Sequence, residues 1–168
     1  MLFLPNIFAL DAALLINTYV SAVIPTFTLQ GSNDRGNTYS ITPDPDGSYA
    51  DSVPVVDNLN TGKLNAYLRI SQSMGRINGE MEVTLTVTDL TNGVTTATLN
   101  DISYVVPVIT NREVSEINGD HFVKFAINYN GYVIADSVLA TVVLTWNKDA
   151  NLGSGNYTGT ATMEQVSL

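Results

Sequence analysis

The sequence predicts an all-β chain that folds as an antiparallel β-sandwich with an apolar N-terminal extension. Apolar and polar residues alternate through many short segments, which is typical of strands with one buried face. Asn-Gly and Asp-Gly pairs, which favour tight turns, separate several of these segments. The regular spacing suits an immunoglobulin-like or a jelly-roll sandwich. We therefore divide the chain into an extension, residues 1–29, and a sandwich domain, residues 30–168.

The N-terminal extension is almost entirely apolar. The run "MLFLPNIFALDAALLINTYVSAVIPTFTLQ" contains one charged side chain, Asp11. Asn6, Asp11 and Asn17 interrupt it, so we do not expect it to span a bilayer. A secretory signal would normally begin with Lys or Arg, and this segment has neither, so we expect it to remain in the working protein.

Two structures suit the extension. Pro5 at a first helical position favours a short helix that ends near Ala22. Alternatively, Val20, Ala22 and Ile24 alternate as they would in a strand, and Phe27 and Leu29 continue the alternation in the other phase. Both interpretations require the segment to be buried, either in its own domain or in a neighbouring molecule.

Three segments of the domain carry the strongest strand patterns, namely "MEVTLTVTDL", "HFVKFAINY" and "SVLATVVLTW". The last is apolar on one face and, through Leu139 and Val143, half apolar on the other, so we place it in the centre of a sheet. Further strands are predicted near 37–42, 52–56, 65–71, 94–99 and 102–109, and a final strand within 155–168. The predicted inward residues are Met81, Val83, Leu85, Val87, Val123, Phe125, Ile127, Tyr129, Val138, Ala140, Val142, Leu144 and Trp146. The predicted turns are Asp46-Gly47, Asn78-Gly79, Asn92-Gly93, Asn118-Gly119 and Asn130-Gly131.

Composition excludes some classes of function. The chain has 168 residues and a net charge of −9, with 7 basic residues scattered singly, so it lacks the positive footprint that nucleic-acid binding requires. Charged residues make up only 14%, against about 25% in an average domain. A surface rich in Asn, Thr and Ser suits an extracellular or cell-surface protein. With no cysteine, packing and hydrogen bonds alone hold the fold.

Catalytic chemistry is poorly represented. His121 is the single histidine, and we expect it to be a hydrogen-bonded residue at a strand end. No Gly-x-Ser-x-Gly motif occurs, and a Cys–His nucleophile pair is impossible without cysteine. We therefore predict that the protein is not an enzyme.

One acidic loop suggests a metal. In "DPDGSYADSVPVVD", Asp44, Asp46 and Asp51 offer carboxylate oxygens of the kind that Ca²⁺ prefers. The same stretch is also a common proline-flanked turn. If calcium binds here, its role would be to stiffen the loop, and no other cofactor is predicted.

The C-terminal segment carries a family resemblance. In "GNYTGTATMEQVSL", Gly155 is fourteenth from the end, and Tyr157, Gly159, Ala161 and Met163 alternate after it. This segment resembles the C-terminal strand of fimbrial pilins that polymerise by donor-strand exchange. The resemblance implies an incomplete sandwich that the N-terminal extension of the next subunit completes, and a role in cell adhesion.

We accordingly predict a structural subunit of an extracellular filament or pilus, a homopolymer of identical chains. An edge strand can be completed by a strand from a neighbour. The alternatives are a type IV pilin-like subunit with an N-terminal core helix, a virion coat or decoration protein, a carbohydrate-binding sandwich, and a monomer whose N-terminus packs on itself. The predicted subunit-interface residues are Tyr19, Val20, Ala22, Ile24, Phe27, Leu29, Tyr157, Ala161 and Met163.

Overall fold

A computed structural model describes residues 26–44, 51–107, 112–133, 137–149 and 151–168, and every regular element in these ranges is a β-strand. Within them, no helix has the length and apolar character needed to span a membrane. The predicted all-β antiparallel sandwich is confirmed. The strands are β1 (Phe27–Gly31), β2 (Val56–Asn58), β3 (Lys63–Gln72), β4 (Gly75–Val87), β5 (Leu90–Thr91), β6 (Thr96–Ala97), β7 (Leu99–Val105), β8 (Glu113–Gly119), β9 (Phe122–Val133), β10 (Ser137–Asn147) and β11 (Ala161–Ser167).

The strands form two main sheets that share one core. The first sheet has the order β1-β3-β10-β7, and β2 pairs with β3 beside β1. The second sheet has the order β11-β4-β9-β8, and all pairs are antiparallel. On one side of the sandwich, Asn118 Nδ2 of β8 donates to the Ile102 carbonyl of β7 at 3.2 Å. On the other side, the Phe27 N–H of β1 donates to Gln165 Oε1 of β11 at 2.8 Å.

The predicted inward faces are confirmed in all three strong segments, with two half-buried exceptions, Tyr129 and Val138. β10 lies between β3 and β7, as its two apolar faces predicted. A register shift between Val138 and Ala140 turns Leu139 into the core and explains why Val138 is out of phase. Tyr104 of β7 packs edge-on against Phe125 of β9, with ring centroids 5.4 Å apart.

The Asn92-Gly93 turn is confirmed. β5 and β6 form a short hairpin around it, in which Asn92 Oδ1 accepts the backbone N–H of Val94 at 3.0 Å and of Thr95 at 2.8 Å. Gly93 has a φ of 87°, which glycine adopts without steric penalty.

Three other Asn-Gly predictions are wrong. Asn78-Gly79 and Asn130-Gly131 lie inside β4 and β9 and face each other across one continuous ladder. In this ladder, long-range pairing overrides the local turn preference. Asn118-Gly119 ends β8, and Asp120-His121 make the turn into β9 instead.

Some boundaries also differ. The predicted strand at 37–42 is reduced to a single bridge between Ile41 and Gly31. Among the described residues, Phe27–Leu29 belong to β1 of the first sheet, whereas the predicted division placed them in the extension. Asp46-Gly47 lies outside the described residues.

Candidate functional site

A groove runs along the side of the sandwich where β1 and β2 of the first sheet face β11 of the second. It encloses about 1350 Å³. Its walls come from both sheets and from the segment that precedes β11, and its lining is largely apolar. The main apolar lining residues are Phe27, Leu29, Val53, Leu64, Trp146, Tyr157, Ala161 and Met163.

The first wall is built from two short strands on one edge of β3. β1 covers the part of that edge from Leu68 to Gln72, and β2 covers the part from Lys63 to Asn65. Ala66 lies between them, and it lines the groove although it is a core residue. The groove therefore reaches the interior of the sandwich.

The second wall is β11, which pairs with β4 through one edge. Thr88 N–H donates to the Thr160 carbonyl at 3.0 Å, and Leu168 N–H donates to the Glu80 carbonyl at 3.0 Å. Because strand groups alternate in direction, the backbone groups of Ala161 and Met163 point to the opposite edge. No other strand of the described residues pairs with that edge. Such an edge is a template for pairing with a further strand.

One end of the groove is marked by the bond from Phe27 N–H to Gln165, which joins the two sheets. The described part of the chain begins at this end, with Thr26. The Thr26 N–H donates to Ser73 Oγ at 2.8 Å, and the Thr26 carbonyl accepts the Ser73 N–H at 2.8 Å. Residues 1–25 are therefore attached at this end of the groove, which we call the entry end.

Tyr157 and Trp146 form the far end. The hydroxyls of Tyr157 and Thr95 hydrogen-bond to each other, and Tyr157 also donates to the Gly153 carbonyl at 3.0 Å. Trp146 Nε1 donates to the Thr88 carbonyl at 3.0 Å. These bonds fix two large rings, so this part of the groove is preformed.

The predicted interface residues divide into two groups. Phe27, Leu29, Tyr157, Ala161 and Met163 come from opposite ends of the sequence and all line the groove. Phe27 and Leu29 are 6% and 7% exposed, so they also belong to the core of their own domain. The other four predicted residues, Tyr19, Val20, Ala22 and Ile24, lie outside the described residues.

The sequence did not reveal the rest of the groove. Trp146 was assigned to a strand and Leu64 directly precedes the strand predicted at 65–71, but their position beside the groove depends on the strand order. Alternation along a strand indicates which face is buried but not which strands lie at a sheet edge. Gln165, which bridges the sheets, gave no signal beyond its phase with Ala161 and Met163.

The predicted calcium ligands are only partly described. Asp44 and Asp51 are exposed, and Asp46 lies outside the described residues. The described residues hold no group of three or more His, Cys, Asp or Glu side chains that could bind a metal ion. Nearby, Asp57 forms an ion pair with Lys148. The calcium site stays a prediction.

His121 lies in the turn before β9 and is exposed. Its Nε2 is 3.4 Å from Asp89 Oδ1, and the same oxygen accepts the Leu99 N–H at 2.7 Å. Asp89 therefore ties the start of β7 to the β8–β9 turn, with His121 at the edge of this contact.

No protein-family model, no curated protein and no solved structure matches the chain.

Proposed function

We propose that the protein is a structural subunit of an extracellular filament, assembled when the N-terminal segment of one copy enters the groove of the next. The groove is the observation that carries this proposal. It combines an apolar floor with an open strand edge on β11, and residues 1–25 are attached at its entry end.

The groove has walls of the length of one added strand. Its walls are a strand of 5 residues, β1, and a strand of 7 residues, β11. At about 3.3 Å per residue, these strands span about 17–23 Å. Val20, Ala22 and Ile24 would place three apolar side chains on one face over this length. Main-chain bonds to β11 would give affinity, and the pockets between the sheets would select the side chains.

The direction of β1 favours a neighbouring copy as the acceptor. β1 starts at the entry end and runs along the groove. A straight continuation of the chain before Phe27 therefore points away from the groove of its own molecule. A return into that groove requires a reversal next to Pro25, whose ring fixes φ and restricts Ile24. Insertion into the next copy needs no such reversal.

A pair of substitutions on β11 tests the proposal. Met163→Asp places a carboxylate in the groove, and the matched control Val166→Asp places one on the outer face of the same strand, where Val166 is 40% exposed. We expect the wild type and Val166→Asp to form filaments in electron micrographs. Met163→Asp should sediment as a monomer, because inserting the donor would bury an unpaired charge.

Circular dichroism should show the same β-sheet content for all three proteins, which excludes unfolding as the cause. The proposal fails if Met163→Asp polymerises like the wild type, or if the wild type stays monomeric at every concentration.

A further inference from the structure

Arg112 lies just before β8, and its half-buried side chain reaches into the sandwich. It shares the inward phase of β8 with Val114, and its Nη1 donates across the interior to Oε1 of Gln72 on β3. Its Nε and Nη2 are buried and have no hydrogen-bond partner among the described residues. Burial lowers the pKa of Arg112 to about 10, and the nearby Tyr129 opposes that shift.

The two unpartnered nitrogens have a specific geometry. The Nε–H and the adjacent Nη2–H of a guanidinium are parallel, and together they match the two oxygens of a carboxylate. Two guanidinium donors that are shielded from water and have no acceptor are unfavourable unless an anion pairs with them. The two Arg112 donors therefore need a carboxylate that belongs to residues outside the described ranges.

The position of Arg112 indicates where that carboxylate comes from. Its partner Gln72 is the register partner of Phe27, so the Arg112 guanidinium lies at the end of the sandwich where β1 begins and residues 1–25 are attached, although Arg112 does not line the groove. These residues contain one charged side chain, Asp11, in an otherwise apolar run. A lone carboxylate in such an apolar run needs a cationic partner, because it is costly to bury without one. Glu113, the neighbouring acid, is exposed and in the outward phase.

We propose that the Asp11 carboxylate binds the Nε and Nη2 donors of Arg112 and anchors the N-terminal segment on the sandwich. The assignment to a neighbouring copy rests on the proposed function, whereas the pairing of Asp11 with Arg112 does not. An extended chain from Asp11 to Thr26 reaches up to about 50 Å, which is enough to join one molecule to the next.

A double-mutant cycle in the full-length chain tests the pairing. Arg112→Met and Asp11→Leu should each lower the melting temperature by about 10 °C, because each leaves the other member of the pair buried without its partner. The double variant Asp11→Leu with Arg112→Met should recover most of that loss, because it removes the carboxylate and the guanidinium together and leaves neither without a partner. Arg112→Lys keeps the charge but loses the paired donors, so it should fold and show an intermediate loss.

The following results would contradict the pairing of Asp11 with Arg112. An unchanged or higher melting temperature for Arg112→Met overturns the pairing, because removing a buried charge that has no anionic partner does not destabilise a protein as breaking an ion pair does. Additive losses in the double variant overturn it as well. Asp136→Asn is the matched control, since Asp136 directly precedes the β10 residue that pairs with Gln72. Coupling of Arg112 to Asp136 in place of Asp11 also overturns the proposal.

Sedimentation separates this inference from the proposed function. Coupling between Asp11 and Arg112 in a protein that stays monomeric supports the pairing within one chain and contradicts the filament. Filaments without coupling support the filament and contradict the pairing.

Discussion

At the scale of single residues, alternation predicted which apolar side chains point into the core, but it did not predict that a charged side chain does so. Val83, Leu85 and Phe125 are fully buried where alternation placed them. Arg112 has an inward phase too, two residues before Val114, yet a charged residue is normally assigned to the surface from sequence. Its guanidinium hydrogen-bonds to Gln72, which is distant in sequence.

Asp34 should make stability depend on pH in the acid range. Its carboxylate accepts Thr38 N–H at 2.8 Å, Thr38 Oγ1 at 2.7 Å and Ser32 Oγ at 2.7 Å. These bonds, those from Thr38 foremost, hold the pKa of Asp34 below its usual 3.8. A lowered pKa in the folded state contributes stability above pH 3.8, and that contribution is lost as pH falls through the folded value.

Asp34→Asn should therefore be less stable than the wild type at neutral pH, and the difference should shrink below pH 3.8. Urea unfolding midpoints measured at neutral pH and below pH 3.8 check this prediction. Asp101→Asn, at an exposed position on β7, is the control. An equal difference at both pH values would contradict the role of the Asp34 carboxylate.

At the scale of elements, the existence of strands was predictable but their limits were not. Asn92-Gly93 forms its predicted turn because the hairpin is local. Asn78-Gly79 does not, because β9 pairs with β4 along its whole length. β11 begins at Ala161, since the preceding segment instead bridges to β5 through Thr158 and Thr91. Pairing partners that are distant in sequence decide each of these cases.

The β5–β6 hairpin gives a prediction at this scale. Gly93 has a positive φ of 87°, and a Cβ there would meet nothing within 4 Å, so Gly93→Ala strains only the backbone. We expect a loss of about 1–2 kcal/mol in the free energy of unfolding, measured by urea denaturation. Gly153→Ala is the control, because Gly153 is equally open and has no positive φ. Equal effects of the two changes would show that φ is not the cause.

At the scale of the whole molecule, the sandwich followed from alternation and turn residues, but its open side did not. The groove exists because β1, β2 and β11 are, among the described strands, edge strands on the same side of the sandwich. The sequence nevertheless selected Phe27, Ala161 and Met163 as interface residues, and they lie together in the groove. That agreement concerns their position, and their role in assembly stays a proposal.

The central claim is that the N-terminal segment occupies the groove of an adjacent copy. Cross-linking tests it most directly, with a photo-reactive residue in place of Ala22 in a mixture of isotopically heavy and light full-length chains. We expect mass spectrometry to find heavy–light products joined to groove residues such as Met163 and Trp146. Products that join Ala22 only to the groove of its own chain would contradict the account.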